Sequence, residues 1–315
     1  LQGARLTAWE LAQAGVQVSL IPDCAVAQVM AEGPIDAVIV GADRSAQNGD
    51  IINKVGTYPL ALMAKEYRVP FYALVQDPRA LATGDDVPIE ERAAAEVLFF
   101  QGEPLIAVGV ERIAARYPSF DVTPAALITH LIGFDDLYTP ETFRRKFQSE
   151  ANAAKSVVKP CCKYLLIYGV PAKNQYSFLL SALRAEQCES FLVPEMRPQL
   201  CGARVVATQL LERNAPTTLI TDNIMGTLFA HGEIHKLCLF SQSVTEAGPK
   251  GICGSLLAVQ LARLHGVPVE LYDGDLPSGS SDRDVSTFMG KPICPEGVAI
   301  RPVETEVVPW ALFKN

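Results

Sequence analysis

Apolar positions along the chain switch repeatedly between a helical period and short unbroken runs. Residues 4–15 (ARLTAWELAQAG) place apolar groups at helical spacing and stop at Gly15, the usual sign of a helix ending on a glycine. VQVSLIPD (16–23) predicts a strand closed by Pro22-Asp23, and AVAQVMAEG (25–33) a short helix. DAVIVGAD (36–43) predicts a second strand, with an apolar run from Ala37 to Val40. TYPLALMAKEYR (57–68) predicts a helix and VPFYALV (69–75) a third strand. Strands and helices alternating at this spacing predict a parallel α/β sheet covered on both faces. Residues 77–92 are loop-like, and FDVTPAALITHLIG (120–133) predicts a turn into a helix. Residues 135–160 are polar and poorly patterned, include Arg144, Arg145 and Lys146, and predict a linker. A second α/β pattern follows: strand 163–169, helix 174–187, strand 189–195.

The second pattern repeats the first. LQGARLTAWELAQAGVQVSLIPD (1–23) aligns with LCGARVVATQLLERNAPTTLITD (200–222), with roughly a third of positions identical. Further on, VPFYALV faces VPVELYD (267–273), FQGEPLIAVGV (100–110) faces FMGKPICPEGV (288–298), and FDVTPAAL (120–127) faces TEVVPWAL (305–312). Shared order at this length indicates two copies of one unit rather than chance likeness. The expected architecture is two Rossmann-like parallel-sheet α/β domains in tandem, 1–134 and 161–315, joined by the 135–160 linker. The second copy begins with two strands before its GAR helix. The first has nothing before Leu1, so it is expected to lack its initial strands. A start at Leu1 rather than Met, inside a motif, is read as an N-terminal truncation.

Composition narrows the function classes. The 315 residues are 49% hydrophobic and 20% charged, which suits a globular chain with a sizeable core. The net charge of −8 argues against a nucleic-acid or anionic-membrane partner. No apolar run reaches the ~18 residues of a spanning helix. The eight cysteines form no CxxC pair and no zinc spacing, so no metal is expected and a reducing cytoplasm fits best. There is no glycine-rich dinucleotide fingerprint and no P-loop, so no nucleotide cofactor is expected.

The candidate chemistry lies in VIVGADRSAQNGDIINKVGTY (38–58). Asp43 follows a hydrophobic strand, where a partly desolvated carboxylate can act as general acid or base. It can equally cap a helix or pair with Arg44. Asn53 and Lys54 precede Gly56-Thr57, which opens a helix, so lysine and helix-start N–H groups together suit a phosphate. A solvated lysine is the alternative. Gln2, at the start of the first helix, suits a sugar hydroxyl or a cap. The histidines read as structural, and Cys24 as a buried inert thiol. In the second copy Gln2 becomes Cys201, Asp43 becomes Gln242, and Asn53 and Lys54 fall within Gly251–Cys253. That copy keeps the scaffold without the polar groups and reads as structural or regulatory.

QGARLTAWEL (2–11), VIVGADR-x-A-x-NGD-xx-NK-x-GTY (38–58), G-x-D-x-PIEER-xxx-EV (84–97) and P-x-FDVTPA-x-LIT (118–129) closely resemble the S-methyl-5-thioribose-1-phosphate isomerase family of methionine salvage. That family is related to the initiation-factor-2B regulatory subunits and the ribose-1,5-bisphosphate isomerases. The resemblance covers residues 1 to about 135 and is weak over 163–312. It implies an aldose–ketose isomerisation of a sugar phosphate, without cofactor or metal. Asp43 matches the family's proton donor, and Gln2, Asn53 and Lys54 match its substrate-binding positions. The family's cysteine and arginines on upstream strands have no match here, so the resemblance implies that the fragment alone is inactive. It further implies a cytoplasmic protein and a homodimer, or an intrachain pseudo-dimer of the two copies. Two alternatives stay open: a non-catalytic sugar-phosphate or nucleotide sensor like the initiation-factor-2B subunits, and a ribose-1,5-bisphosphate isomerase.

Overall fold

The computed structural model describes residues 2–78, 80–147, 163–275 and 285–313. Runs of consecutive apolar residues build its largest sheet. Strands Tyr164–Tyr168 and Ser190–Pro194 are buried at every position, as strands covered on both faces must be. They occupy the middle of a six-stranded parallel sheet ordered Val269–Asp273, Ile234–Ser241, Tyr164–Tyr168, Ser190–Pro194, Thr217–Ile220, Ala114–Ala115. The last strand comes from the first half of the chain.

The first half builds a smaller sheet ordered Leu137–Tyr138, His130–Ile132, Phe71–Leu74, Val38–Gly41, with its last three strands parallel. The helix expected within 120–133 is instead strand Phe120–Thr123, a single turn at Ala125–Leu127, and strand His130–Ile132. Burial alternates from Phe120 to Thr123, a period of two, and Pro124 then ends the strand. The stretch expected as linker holds strand Leu137–Tyr138 and helix Pro140–Phe147 as far as it is described. Phe143 anchors it, buried edge-on against Tyr138 at 5.6 Å. Residues 148–160 of the expected linker, with Cys161 and Cys162, lie outside the described residues. The strand expected over 16–23 is only Ser19–Leu20. The first sheet also departs from the expectation of two covered faces, because Ile39 and Leu74 stay exposed.

Contacts between the halves come in matched pairs. Ser19–Leu20 pairs in parallel with Ala299–Ile300, and its counterpart Thr217–Ile220 pairs in parallel with Ala114–Ala115. Arg301 reaches Glu32 at 2.5 Å, while Arg116 reaches Glu233 at 2.7 Å. Helix Val26–Glu32 packs on Ser255–Leu264, and Thr57–Glu66 on Met225–Ala230. Each half therefore lends a strand and an arginine to the other, in the same positions.

Candidate functional site

Strands Val38–Gly41 and Phe71–Leu74 run parallel and end on the same side of the sheet. Their continuations carry Asp43 and Gln76, so two polar loops converge where α/β sheets hold ligands. The loops are tied together: Ser45 Oγ donates to Gln76 O at 2.6 Å, and Gln76 Nε2 donates to Asp43 O at 2.9 Å. A cavity of about 530 Å³ opens here, lined by Asp43, Arg44, Ser45, Gln76, Asp77 and Leu81 among others. Its mouth is charged in both signs, which suits a small polar molecule.

The Asp43 side chain is 50% exposed and lies 3.9 Å from Arg44 Nε. Of the two readings open in the sequence, the structure has the loose pair with Arg44. Asn53 and Lys54 close strand Ile51–Lys54, which pairs antiparallel with Arg44–Ser45 and with Phe120–Thr123. Asp43 immediately precedes this small sheet, while Asn53 and Lys54 lie on its middle strand and do not line the cavity. Asn53 Nδ2 donates to Thr57 Oγ1 at 3.0 Å, and Lys54 Nζ lies 4.7 Å from the centre of the Phe120 ring. Gln2 stands on a different element, just before the helical turn Gly3–Thr7. Its side chain is exposed and makes no capping hydrogen bond, so the cap reading is not realised.

One expectation is corrected. The N–H groups at the start of helix Thr57–Glu66 are not free for a phosphate. Asp121 takes them, accepting from Gly56 N at 2.7 Å and Tyr58 N at 3.1 Å. Burial pushes the Asp121 carboxyl up to about 7 even against these donors. A phosphate near Lys54 would have to be held by side chains. Asp121 lies inside a motif singled out in the sequence, but nothing local marks it as the partner of a helix 65 residues away.

The matched region of the second half shows why its polar groups could vanish. By strand register Gly251 stands where Asn53 does, opposite Glu306 rather than Asp121. A Cβ at Gly251 would meet Ser255 Oγ at 2.2 Å, so the serine would have to turn away to admit a side chain. Cys201, in the place of Gln2, is buried. Glu306 keeps the helix-start role, accepting from Leu256 N at 2.7 Å, and burial pushes it up to about 8. His130 stacks on Tyr72 at 5.7 Å, consistent with a structural histidine. Cys24 is fully buried, as expected of an inert thiol. A second cavity, of about 270 Å³, lies at the seam between Gln28, Tyr67 and Gln260 and holds none of the candidate residues. Among the described residues no cluster suits a metal ion, and no helix is long and apolar enough to cross a membrane.

The sequence model described as the Initiation factor 2 subunit family matches residues 1–133 and 153–270. Among curated relatives, methylthioribose-1-phosphate isomerase of Anaeromyxobacter sp. (strain K) is 51% identical over 135 residues, covering 42% of this chain and 39% of the relative. A protein of that name from Thermus thermophilus is 50% identical over 136 residues, covering 42% and 40%. Among solved structures, 5-methylthioribose 1-phosphate isomerase of Pyrococcus horikoshii is similar over 46% of this chain and 40% of its own, at 44% identity and a TM-score of 0.43. Subunit delta of translation initiation factor eIF-2B from A. fulgidus is similar over 44% and 40%, at 38% identity and a TM-score of 0.41. The chain spans about two fifths of the length of these relatives.

Proposed function

The chain belongs to the Initiation factor 2 subunit family, and from that premise we propose that its first half is the substrate-binding part of an aldose–ketose isomerase. The substrate is 5-methylthioribose 1-phosphate and the product 5-methylthioribulose 1-phosphate, a step of methionine salvage. The observation that carries this reading is the identity of about half over 135 residues with relatives named for that activity, together with Asp43 at the mouth of a cavity.

In this reading Asp43 is the proton donor. A sugar locked as its 1-phosphate cannot open to a free aldehyde, so proton transfer at the ring oxygen must accompany hydrogen movement between C1 and C2. A substrate filling the cavity would strip water from Asp43 and desolvate its carboxyl. Asn53, Lys54 and Gln2 contact the substrate, with Lys54 as a point charge for the phosphate. The chain works in the cytoplasm on a small sugar phosphate, and its halves act as an intrachain pseudo-dimer, a reading supported by their matched contacts. The second half is a scaffold in which Cys201, Gln242 and Gly251 replace the polar set.

The test is ketose formation from the 1-phosphate by the chain, with Asp43→Asn as control. Unchanged turnover in the variant ends the catalytic role. The water-exposed Asp43 and the helix start already taken by Asp121 favour one second reading: a sensor that binds sugar phosphate without turning it over. Calorimetric titration giving binding, with no product formed, selects that reading.

A further inference from the structure

The seam between the halves is built twice, and its two versions are filled differently. Helix Thr57–Glu66 starts on Asp121 and helix Ser255–Leu264 on Glu306, so Tyr58 and Leu256 stand at matched places. Tyr67 and His265, each just past the end of its helix, are matched in the same way. In one version the Tyr58 side chain reaches across the seam, and its hydroxyl meets His265 Nε2 at 3.3 Å. In the other version Leu256 stands where that phenol would start, and it lines a cavity of about 270 Å³ together with Tyr67.

The cavity wall carries one polar pair. Gln260 lines it and is only 3% exposed. Its Nε2 donates to Tyr67 Oη at 2.7 Å, while its Oε1 has no hydrogen-bond partner. A buried acceptor left without a donor is unfavourable, and native structures seldom keep one. Tyr67 accepts from Gln260, which leaves its own hydroxyl proton to donate. The pair therefore offers an acceptor and a donor side by side. Leu256, Val307, Pro309 and Leu312 make the rest of the wall apolar. At the rim, the Glu32 carboxylate is already held by Gln28 at 2.6 Å and by Arg301 at 2.5 Å, so no unbalanced charge awaits an ionic ligand.

We propose that this cavity is a binding site for a small uncharged phenol. The ring packs on the apolar wall, and its hydroxyl donates to Gln260 Oε1 while accepting from Tyr67. An ether or a ketone could only accept, and would leave Gln260 Oε1 bare. The ligand supplies to this seam the ring and hydroxyl that Tyr58 supplies to the matched one. Because both halves line the cavity, a bound phenol bridges them and stabilises the folded chain. The site shares no residue with the cavity at Asp43, so the proposal stands apart from the isomerase reading.

Calorimetric titration of the whole chain with phenol, and in parallel with toluene, tests it. Phenol is expected to bind saturably at one site per chain, and toluene about tenfold or more weaker. Tyr67→Phe deletes one hydroxyl and keeps the ring, and is expected to weaken phenol binding about tenfold while leaving toluene unchanged. Leu256→Tyr puts into the cavity the ring that fills the matched seam, and is expected to abolish binding of both. The unfolding midpoint of each variant is measured, and if Leu256→Tyr lowers it, Tyr67→Phe decides alone. The proposal is overturned if phenol shows no saturable binding, if toluene binds as tightly, or if Tyr67→Phe leaves phenol affinity unchanged.

Discussion

Cys24 and Cys253 meet across the seam between the halves with their sulfur atoms 3.6 Å apart. The contact has a mate: Asn223, in the place of Cys24, donates from Nδ2 to the carbonyl of Val55, in the place of Cys253, at 3.2 Å. Beside each contact a glycine in the left-handed region begins a helix, Gly254 at φ 91° and Gly56 at φ 104°. A side chain at Gly254 would strike Tyr168 Oη at 1.8 Å and Cys24 Cβ at 2.8 Å. The seam therefore closes on hydrogen atoms, and close approach there is what these glycines provide.

Gly254→Ala should consequently cost more than the backbone alone explains. Gly15→Ala is the control, because Gly15 shares a positive φ of 76° and has open space around it. The control is expected to lose about 1 kcal/mol, and Gly254→Ala a further ~2 kcal/mol or more from overpacking. Urea unfolding of both variants measures the difference. Equal losses would show that the seam yields.

The buried carboxylates set the pH dependence of stability. Asp121 titrates at about 7 in the folded chain, raised by burial, against about 3.9 unfolded. Between those values the folded chain keeps a proton that the unfolded chain releases. Its contribution is therefore complete below about pH 4 and lost as pH rises through about 7. Glu306, at about 8 when folded, extends the loss upward. From about pH 5 to 8 the unfolding free energy should fall by on the order of 3 kcal/mol through Asp121 and by a similar further amount through Glu306. Asp121→Asn should flatten that slope. A slope unchanged in the variant would assign the pH dependence to other groups.

The matched ion pairs should differ in worth. Glu233 is 9% exposed where it holds Arg116, whereas Arg301 and Glu32 are both more than 40% exposed. Glu233→Gln should cost about 1 kcal/mol or more, because a largely buried charge-assisted bond is weakened even though Glu91 still faces the Arg116 guanidinium at 3.5 Å. Glu32→Gln should fall within about 0.5 kcal/mol. Denaturant titration of the two variants ranks them, and the reverse order would refute the argument from burial.

If Lys54 binds the phosphate as proposed, Lys54→Ala should weaken calorimetric binding of a sugar 1-phosphate about tenfold or more, with little change in unfolding midpoint. Lys54 stands over Phe120 at the surface, so its structural share is one cation–π contact of about 0.5–1 kcal/mol. Equal binding by variant and parent would remove Lys54 from the site.

The sequence carried much of this arrangement, unevenly. Strands such as Tyr164–Tyr168 were legible because a strand buried on both faces reads as an unbroken apolar run. Val38–Gly41 reads the same way and yet leaves Ile39 in water, since an apolar run states what a strand can bury and not what covers it. Phe120–Thr123 was mistaken because TPAAL, just beyond it, imitates a helix start, while the pairing with Ile51–Lys54 is decided far away in the chain. Asp43 was legible as a residue at a strand end. The occupation of the neighbouring helix start by Asp121 was not, because only tertiary folding brings the two together.

The exchanged strands, Ala114–Ala115 and Ala299–Ile300, act as a mutual clasp. Because each half pairs a strand with one of the other, the covalent joint between them is redundant for cohesion once folding is complete. A chain cut between Phe147 and Lys163, at an inserted protease site, should elute as one particle and separate only in denaturant. Two independently folded neighbours on a string would instead part at the cut.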